Sequence, residues 1–213
     1  MENEKLKLNS SFLTPHSSFN CMIAGVGGQG TVLASKLLAA AAMKHDYDVR
    51  TTETIGMAQR GGSVVSHVRV GENIFSPLIP LGKADALIAF EPAEAVRQLP
   101  YLRADGLLMV CDSAIKPVAD PKAGAYEAAA MIDYLKANVS KLVVIDGAII
   151  MANSAKTLNV ALLGAAAHTG IFPFDGETLK EVITEMLPQR FLEINLQSFE
   201  LGKGAYHEHT GQN

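Results

Sequence analysis

Cysteine is scarce in this chain: only Cys21 and Cys111 occur among its 213 residues. Two thiolates do not complete the four-cysteine ligand set of an iron–sulfur cluster or of a structural zinc site. A cofactor of that kind would therefore have to be bound by another chain, and we expect no metal-ligating residues here. The same count excludes a disulfide-rich scaffold.

The chain also lacks a cluster of basic residues and a long apolar run. Its 18 Lys and Arg residues against 22 Asp and Glu residues give a formal charge of -4, with no cationic stripe suited to a phosphate backbone. Nucleic acid is therefore not an expected partner. No secretory signal is predicted at the start, and apolar stretches such as 37–43 are far shorter than a membrane span of about 18 residues. We expect a cytoplasmic protein with no membrane contact.

Short apolar segments alternate with longer segments of helical period, which predicts an α/β fold. We expect a Rossmann-like, mostly parallel sheet flanked by helices, in one domain at 20–204 between a flexible N-terminal tail (1–19) and a C-terminal tail (205–213). The expected strands are 20–24, 49–52, 64–70, 86–90, 106–110 and 142–145. The expected helices are 31–44, 92–99, 126–138, 155–167, 177–187 and 189–201. The alternating pattern of 64–70 predicts an edge or half-covered strand.

A glycine-rich segment, 22–30 (MIAGVGGQG), follows the first strand pattern and leads into a helical one. Glycines let a turn approach an anion at a helix N-terminus, as in dinucleotide sites, but they also serve plain strand-to-helix packing. A dinucleotide fits loosely, because the ribose-binding acid would be Glu53, 23 residues after the loop, and such turns do not require a glutamine. The candidate residues here are Gly25, Gly27, Gly28, Gln29 and Gly30.

A second segment of small residues, 55–63 (IGMAQRGGS), connects two strand patterns. Paired glycines allow another chain or a phosphate to approach closely, and a guanidinium holds an anion with two donors. A plain connection with a solvated arginine is equally compatible with the pattern. His67 and Arg69 on the next strand can extend this surface, although a single strand histidine is usually structural. The candidates are Gln59, Arg60, Gly61 and Gly62.

Two further residues follow apolar strands. Glu91 directly follows the strand at 86–90, and the ligand sites of α/β proteins lie at such strand ends. Its alternative role is a charge at the start of a helix beside Pro92. Cys111 follows the apolar run LLMV and is expected to be a buried, inert thiol. The chain contains no acid, base and nucleophile set, so we assign no catalytic residue to it.

Several separated motifs together resemble one protein family. Segments 25–30, 57–69 (MAQRGGSVVSHVR), 76–80 (SPLIP) and 89–94 (AFEPAE) are similar to the gamma domain of the thiamine-dependent 2-oxoacid:ferredoxin oxidoreductases. Within the family, the resemblance is greatest to the small subunits of the enzymes that oxidise indolepyruvate. It extends over about 21–202 and includes Asn159 in NVALLG, whereas 151–156 departs from the pattern.

The resemblance implies a Rossmann-like small subunit of a two-subunit enzyme. A larger subunit would carry thiamine diphosphate and the iron–sulfur clusters, and the complex would convert an arylpyruvate and coenzyme A into arylacetyl-CoA, CO2 and reduced ferredoxin. This chain would bind no cofactor. Its glycine loop, residues 59–62, Glu91 and Asn159 would face the partner or a ligand, and Arg60 would hold a CoA phosphate or a partner carboxylate.

Three other functions stay open at this point. The chain can be the gamma subunit of a pyruvate or other 2-oxoacid ferredoxin oxidoreductase. It can be a stand-alone NAD(P)-binding dehydrogenase domain, an interpretation that depends on the loop at 25–30 alone. It can also be a scaffold that binds a partner through a glycine loop without catalytic importance.

Overall fold

The computed structural model describes residues 18–56, 62–114 and 127–210, and the side chains of 206–210 are not part of the description. These described residues contain seven strands: β1 (Phe19–Val26), β2 (Asp48–Ile55), β3 (Ser63–Gly71), β4 (Ala84–Ala89), β5 (Leu102–Cys111), β6 (Lys141–Ile145) and β7 (Tyr206–Thr210). They form one sheet in the order β2-β3-β1-β4-β5-β6-β7. Five strands run in one direction, and β3 and β7 oppose them.

Helices cover both faces of the sheet. They are α1 (Thr31–Met43), α2 (Pro92–Gln98), α3 (Ala128–Asn138), α4 (Gly147–Ser154), α5 (Leu158–His168), α6 (Gly176–Met186) and α7 (Gln189–Gly202). One face packs against α1 and the C-terminal helices around α5, and the other packs against α2 and α3. The predicted α/β, mostly parallel single domain is therefore confirmed.

Strand β3 differs from its prediction as an edge or half-covered strand. It lies between β2 and β1, and β2 is the edge strand. Both faces of β3 are buried, with Val68 and Val70 on one side and Val65 and His67 on the other. The alternating pattern was misleading because Ser66 and His67 are polar residues that are nevertheless buried.

The C-terminal part of the chain contains two elements that the sequence pattern did not predict. Helix α4 begins at an Asp-Gly pair, where Asp146 accepts hydrogen bonds from the backbone N–H groups of Ala148 and Ile149. Strand β7 falls within the segment expected to be a C-terminal tail (205–213), but it pairs antiparallel with β6. The sheet thus extends beyond residue 204. The expected tail at 1–19 overlaps β1 at Phe19, and residues 1–17 lie outside the described part.

Helices α5 and α7 pack closely through two glycines. A Cβ atom on Gly164 would overlap the carbonyl oxygen of Phe199, and one on Gly202 would overlap the carbonyl oxygen of Ala161. The two helix backbones can approach this closely only because each offers a residue without a side chain.

A continuous helical stretch, Gly147–His168, is long and apolar enough to cross a membrane by length and composition, and 56% of its most apolar window is buried inside the fold. The core helix of a globular domain meets the same criteria. Val160, Leu162 and Leu163 of α5 are fully buried, which fits that interpretation.

The contact between α5 and α7 predicts that Gly202→Ala destabilises the fold by about 3 kcal/mol, because the added methyl group overlaps backbone rather than a movable side chain. Helix propensity alone predicts the opposite sign. Urea unfolding measures the difference. Gly176→Ala is the control, since its Cβ would have no neighbour closer than 3.5 Å and little change is expected. Equal stabilities of the two variants would contradict this packing.

Candidate functional site

The carboxyl ends of β1 and β4 lie side by side at the centre of the sheet. From β1 the chain continues through α1 to β2 on one side, whereas from β4 it continues through α2 to β5 on the other side. Adjacent parallel strands whose connections diverge in this way create the crevice in which α/β proteins bind ligands. The glycine loop follows β1 and Glu91 follows β4, so the fold brings these two predicted site features together.

The side chain of Gln29 fills this crevice. Its Oε1 accepts a hydrogen bond from the backbone N–H of Val26 at 2.8 Å, and its Nε2 donates to the carbonyl oxygen of Phe90 at 3.0 Å. A Cβ atom on Gly25 would lie 2.7 Å from Gln29 Oε1, so a glycine is needed there to make room for the amide. The glutamine therefore links the ends of β1 and β4, in the place where a dinucleotide pyrophosphate would approach.

The rest of the glycine loop is held by neighbouring backbone and by α5. The N–H of Gly27 donates to the carbonyl oxygen of Gly62 at 2.9 Å. Gly30 has a φ of 81°, and Asn159 Nδ2 donates to its carbonyl oxygen at 3.3 Å. Any side chain at Gly30 would be strained in this conformation and would collide with Asn159. Gly62 and Asn159 are both predicted site residues, and both contact the loop although they are distant from it in sequence.

The other residues of the second motif, Gln59, Arg60 and Gly61, lie outside the described residues. The described residues on either side of them are at the same edge of the sheet as the glycine loop. The N–H of Gly56 donates to the carbonyl oxygen of Ser63 at 2.8 Å, and Ser63 pairs with Val26 at the end of β1.

Of its two predicted roles, the structure gives Glu91 the one at the start of a helix. It is the N-cap of α2, where its Oε2 accepts a hydrogen bond from the N–H of Glu94 at 3.0 Å. The residue is only 1% exposed, and within the described part of the chain its Oε1 has no hydrogen-bond partner. Burial raises the pKa of this carboxyl to about 7. This carboxyl is therefore partly protonated near neutral pH.

Glu94 is a site residue that the sequence analysis missed. Its carboxylate accepts a hydrogen bond from Ser63 Oγ at 2.6 Å and pairs with Arg97 at 2.8 Å. This contact ties the start of α2 to the start of β3, next to the glycine loop. The spacing of three residues from the cap at Glu91 was the available signal, since the third residue of a helix is where caps make reciprocal bonds.

The ends of β5 and β6 contribute two more carboxylates to this edge. Asp112 accepts a hydrogen bond from the N–H of Gly147 at 2.8 Å, and Asp146 caps α4. Cys111 beside them is buried, and burial raises its pKa to about 11, so the expected inert thiol fits this environment. Among the described residues, no group of three or more His, Cys, Asp and Glu side chains is arranged to hold a metal ion.

Two weaker candidates have structural roles. Glu53 is on β2, which is separated from β1 by β3, and it accepts a hydrogen bond from Ser35 Oγ at 3.3 Å. It is therefore not beside the glycine loop as a ribose-binding acid would be, which disfavours the dinucleotide interpretation. His67 is buried, and its Nδ1 accepts a hydrogen bond from the N–H of Ile79 at 3.2 Å. Burial lowers the pKa of this imidazole, in keeping with its role as a neutral acceptor.

Residues 20–205 match the pyruvate ferredoxin/flavodoxin oxidoreductase family. The chain is 38% identical over 204 residues to indolepyruvate oxidoreductase subunit IorB of Thermococcus kodakarensis, a match that covers 91% of this chain and 98% of that protein. It is 37% identical over 201 residues to IorB of Pyrococcus horikoshii, covering 89% and 96% of the two chains. The similarity therefore extends over nearly the full length of both relatives.

Solved structures share the fold. Pyruvate oxidoreductase subunit PORC of Thermotoga maritima has a TM-score of 0.66 at 22% identity, covering 90% of this chain and 98% of that one. The 2-oxoglutarate:ferredoxin oxidoreductase of Magnetococcus marinus, solved with 2-oxoglutarate, coenzyme A and succinyl-CoA bound, has a TM-score of 0.67 at 21% identity. That match covers 88% of this chain but 30% of the other, so the same fold is there one part of a longer polypeptide.

The buried carboxyl of Glu91 predicts a pH-dependent stability. Its folded-state pKa of about 7 lies above the ordinary value of 4.5, so its contribution is fully present below pH 4.5 and is lost as the pH rises to about 7. The side-chain amide of Glu91→Gln still accepts the bond from Glu94 but does not titrate. We therefore expect the free energy of unfolding of this variant to decline less between pH 4.5 and about 7 than that of the wild type. Urea unfolding at several pH values between about 4.5 and 8 measures it. The exposed Glu193→Gln is the control and should follow the wild type, and a Glu91→Gln curve that does so too would contradict the assignment.

Proposed function

This chain belongs to the pyruvate ferredoxin/flavodoxin oxidoreductase family and is the small subunit of an indolepyruvate/2-oxoacid ferredoxin oxidoreductase; we propose that it closes the reactive site of a larger partner subunit. The observation that carries this proposal is the occupied crevice. Gln29 bridges the two strand ends at which an α/β chain acting alone would bind its own nucleotide. Beside it, Oε1 of Glu91 has no hydrogen-bond partner among the described residues.

The larger subunit, in this proposal, binds thiamine diphosphate and the iron–sulfur clusters and passes electrons to ferredoxin. The present chain has two cysteines, and both are buried, so it offers no cluster ligands of its own. The thiamine cofactor supplies the decarboxylation chemistry. The part of this chain is to exclude water from the partner's site and to shape the entrance for the acyl acceptor.

The substrate of the complex, in this proposal, is an arylpyruvate such as indolepyruvate, and its acceptor is coenzyme A. The names of the two IorB relatives support indolepyruvate as the substrate. The coenzyme A bound to the Magnetococcus marinus enzyme supports coenzyme A as the acceptor. The glycine loop, residues 59–62, Glu91 and Asn159 form the face toward partner and ligand. Such a complex would operate in the reducing cytoplasm.

Anaerobic reconstitution with the larger subunit tests this function. We expect ferredoxin reduction that requires both chains and coenzyme A, and we expect kcat/KM to be at least tenfold higher for indolepyruvate than for pyruvate. A preference for pyruvate would instead support the alternative function, in which the chain is a gamma subunit of another 2-oxoacid enzyme. Full activity of the larger subunit without this chain would contradict the proposal.

Arg60 is the residue that we propose holds an anionic group at this face. We expect Arg60→Ala to reduce the activity of the complex about tenfold or more, because the anion loses the two hydrogen-bond donors of the guanidinium. A raised KM for coenzyme A would identify the anion as a CoA phosphate, and weaker binding of the larger subunit would identify a partner carboxylate. The exposed Arg50→Ala is the matched control. Equal losses of stability and activity in Arg60→Ala would contradict the assignment.

A further inference from the structure

The connection between β3 and β4, residues 72–83, presents large apolar side chains to solvent. Phe75 is 92% exposed, Leu81 is 65% exposed and Leu78 is 59% exposed. Phe75 is the most exposed large apolar side chain in the described part of the protein. This connection starts at the end of β3 and leads to the start of β4, so it lies at the edge of the sheet opposite to the glycine loop.

The exposed side chains alternate with buried anchors. Ile74 and Ile79 are 5% and 2% exposed, so they fix the backbone on either side of Phe75 and Leu78. Ile79 joins the apolar cluster under α2 and α3. The exposure of the other residues is therefore a consequence of a defined backbone path, since the same segment also contributes to the core.

Polar contacts hold the connection in place from three sides. Arg69 Nη1 donates to the carbonyl oxygens of Ser76 at 3.0 Å and Leu78 at 3.4 Å, while its Nε donates to Asn20 Oδ1 at 2.8 Å. His67 accepts the hydrogen bond from the N–H of Ile79. These two side chains belong to the strand that the sequence analysis singled out, and the function described so far uses neither of them.

The N–H of Gly82 closes the far end of the connection by donating to the carbonyl oxygen of Pro100 at 3.0 Å. A segment held in this way loses little conformational entropy when it binds, so its exposed side chains are preorganised for a partner. An ordered, exposed aromatic and two leucines form the kind of anchor found at the centre of protein interfaces.

We propose that Phe75, Leu78 and Leu81 are an anchor that docks into an apolar pocket of the larger oxidoreductase subunit, at a contact separate from the glycine-loop face. This inference rests on the proposed function, because it takes the occupant to be the larger subunit. The Magnetococcus marinus enzyme supports that choice, since the match covers only 30% of its chain and this fold is there joined to a much longer remainder of the same polypeptide.

The size of the patch argues against a second copy of this chain as the occupant. Three such side chains expose on the order of 400 Å², whereas a stable interface buries about 800 Å² on each partner. The patch is therefore sufficient as one anchor of a wider interface and too small for a symmetric dimer by itself. A larger subunit that also covers the glycine-loop edge, about 30 Å away along the nine residues of β3, supplies the remaining area.

Binding of the double variant Phe75→Ser/Leu78→Ser to the purified larger subunit tests the anchor. We expect a Kd at least tenfold higher than that of the wild type under anaerobic conditions, with the thermal unfolding midpoint of the free chain unchanged because both side chains are exposed. Met43→Gln is the matched control, since Met43 is 63% exposed on α1, and it should bind like the wild type.

A second readout uses the absence of accessible thiols. Both native cysteines are buried, so Phe75→Cys carries one reactive thiol that can be labelled with an environment-sensitive fluorophore. We expect its emission to shift to the blue when the larger subunit is added, and the same label on Met43→Cys to stay unchanged. An unshifted label at residue 75 in an assembled complex would overturn the proposal.

The outcomes separate this proposal from the function on which it rests. If the wild type does not bind the larger subunit, both fail. If the wild type and the double variant bind equally well, the anchor is wrong and the proposed function stands. If the isolated wild type is a dimer in sedimentation experiments and the double variant is a monomer, a second copy occupies the patch and the anchor proposal is overturned.

Discussion

The two hydrogen bonds of the Gln29 side chain are the contact on which the rest of the site depends. They join Val26, the last residue of β1, to the carbonyl oxygen of Phe90, the residue that follows β4, across the point where the two chain connections diverge. A neutral amide suits this place because it must accept from one backbone group and donate to another. Gly25 leaves the space for it, and the turn after β1 is therefore shaped around a protein side chain rather than around a phosphate.

The groups around this contact are held in place by hydrogen bonds from neighbouring elements. Glu94 ties α2 to the start of β3, Asn159 holds the carbonyl of Gly30 from α5, and Glu91 keeps one carboxylate oxygen unused. Burial of that carboxyl raises its pKa to about 7, so it is partly protonated near neutral pH. A rigid edge of this kind fits the proposal of a subunit that completes a site on its partner.

Much of the fold could be predicted from the sequence, because apolar periodicity and the glycine motif are local signals. The family resemblance, which depends on motifs read in order, is confirmed by full-length relatives. Contacts between distant parts of the chain could not be predicted from such local signals. The insertion of β3 between β2 and β1 and the pairing of β7 with β6 depend on partners far along the chain. So does the role of Gln29, whose second hydrogen bond reaches 61 residues ahead to Phe90.

We propose that this chain binds no cofactor of its own and covers the reactive site of a larger subunit. Anaerobic affinity purification from native cells, with a thiamine assay and a visible absorption spectrum of the product, tests this role. We expect a larger chain with iron–sulfur absorption and thiamine diphosphate to elute together with this one. A chain that elutes alone, colourless and carrying a tightly bound nicotinamide cofactor, would contradict it.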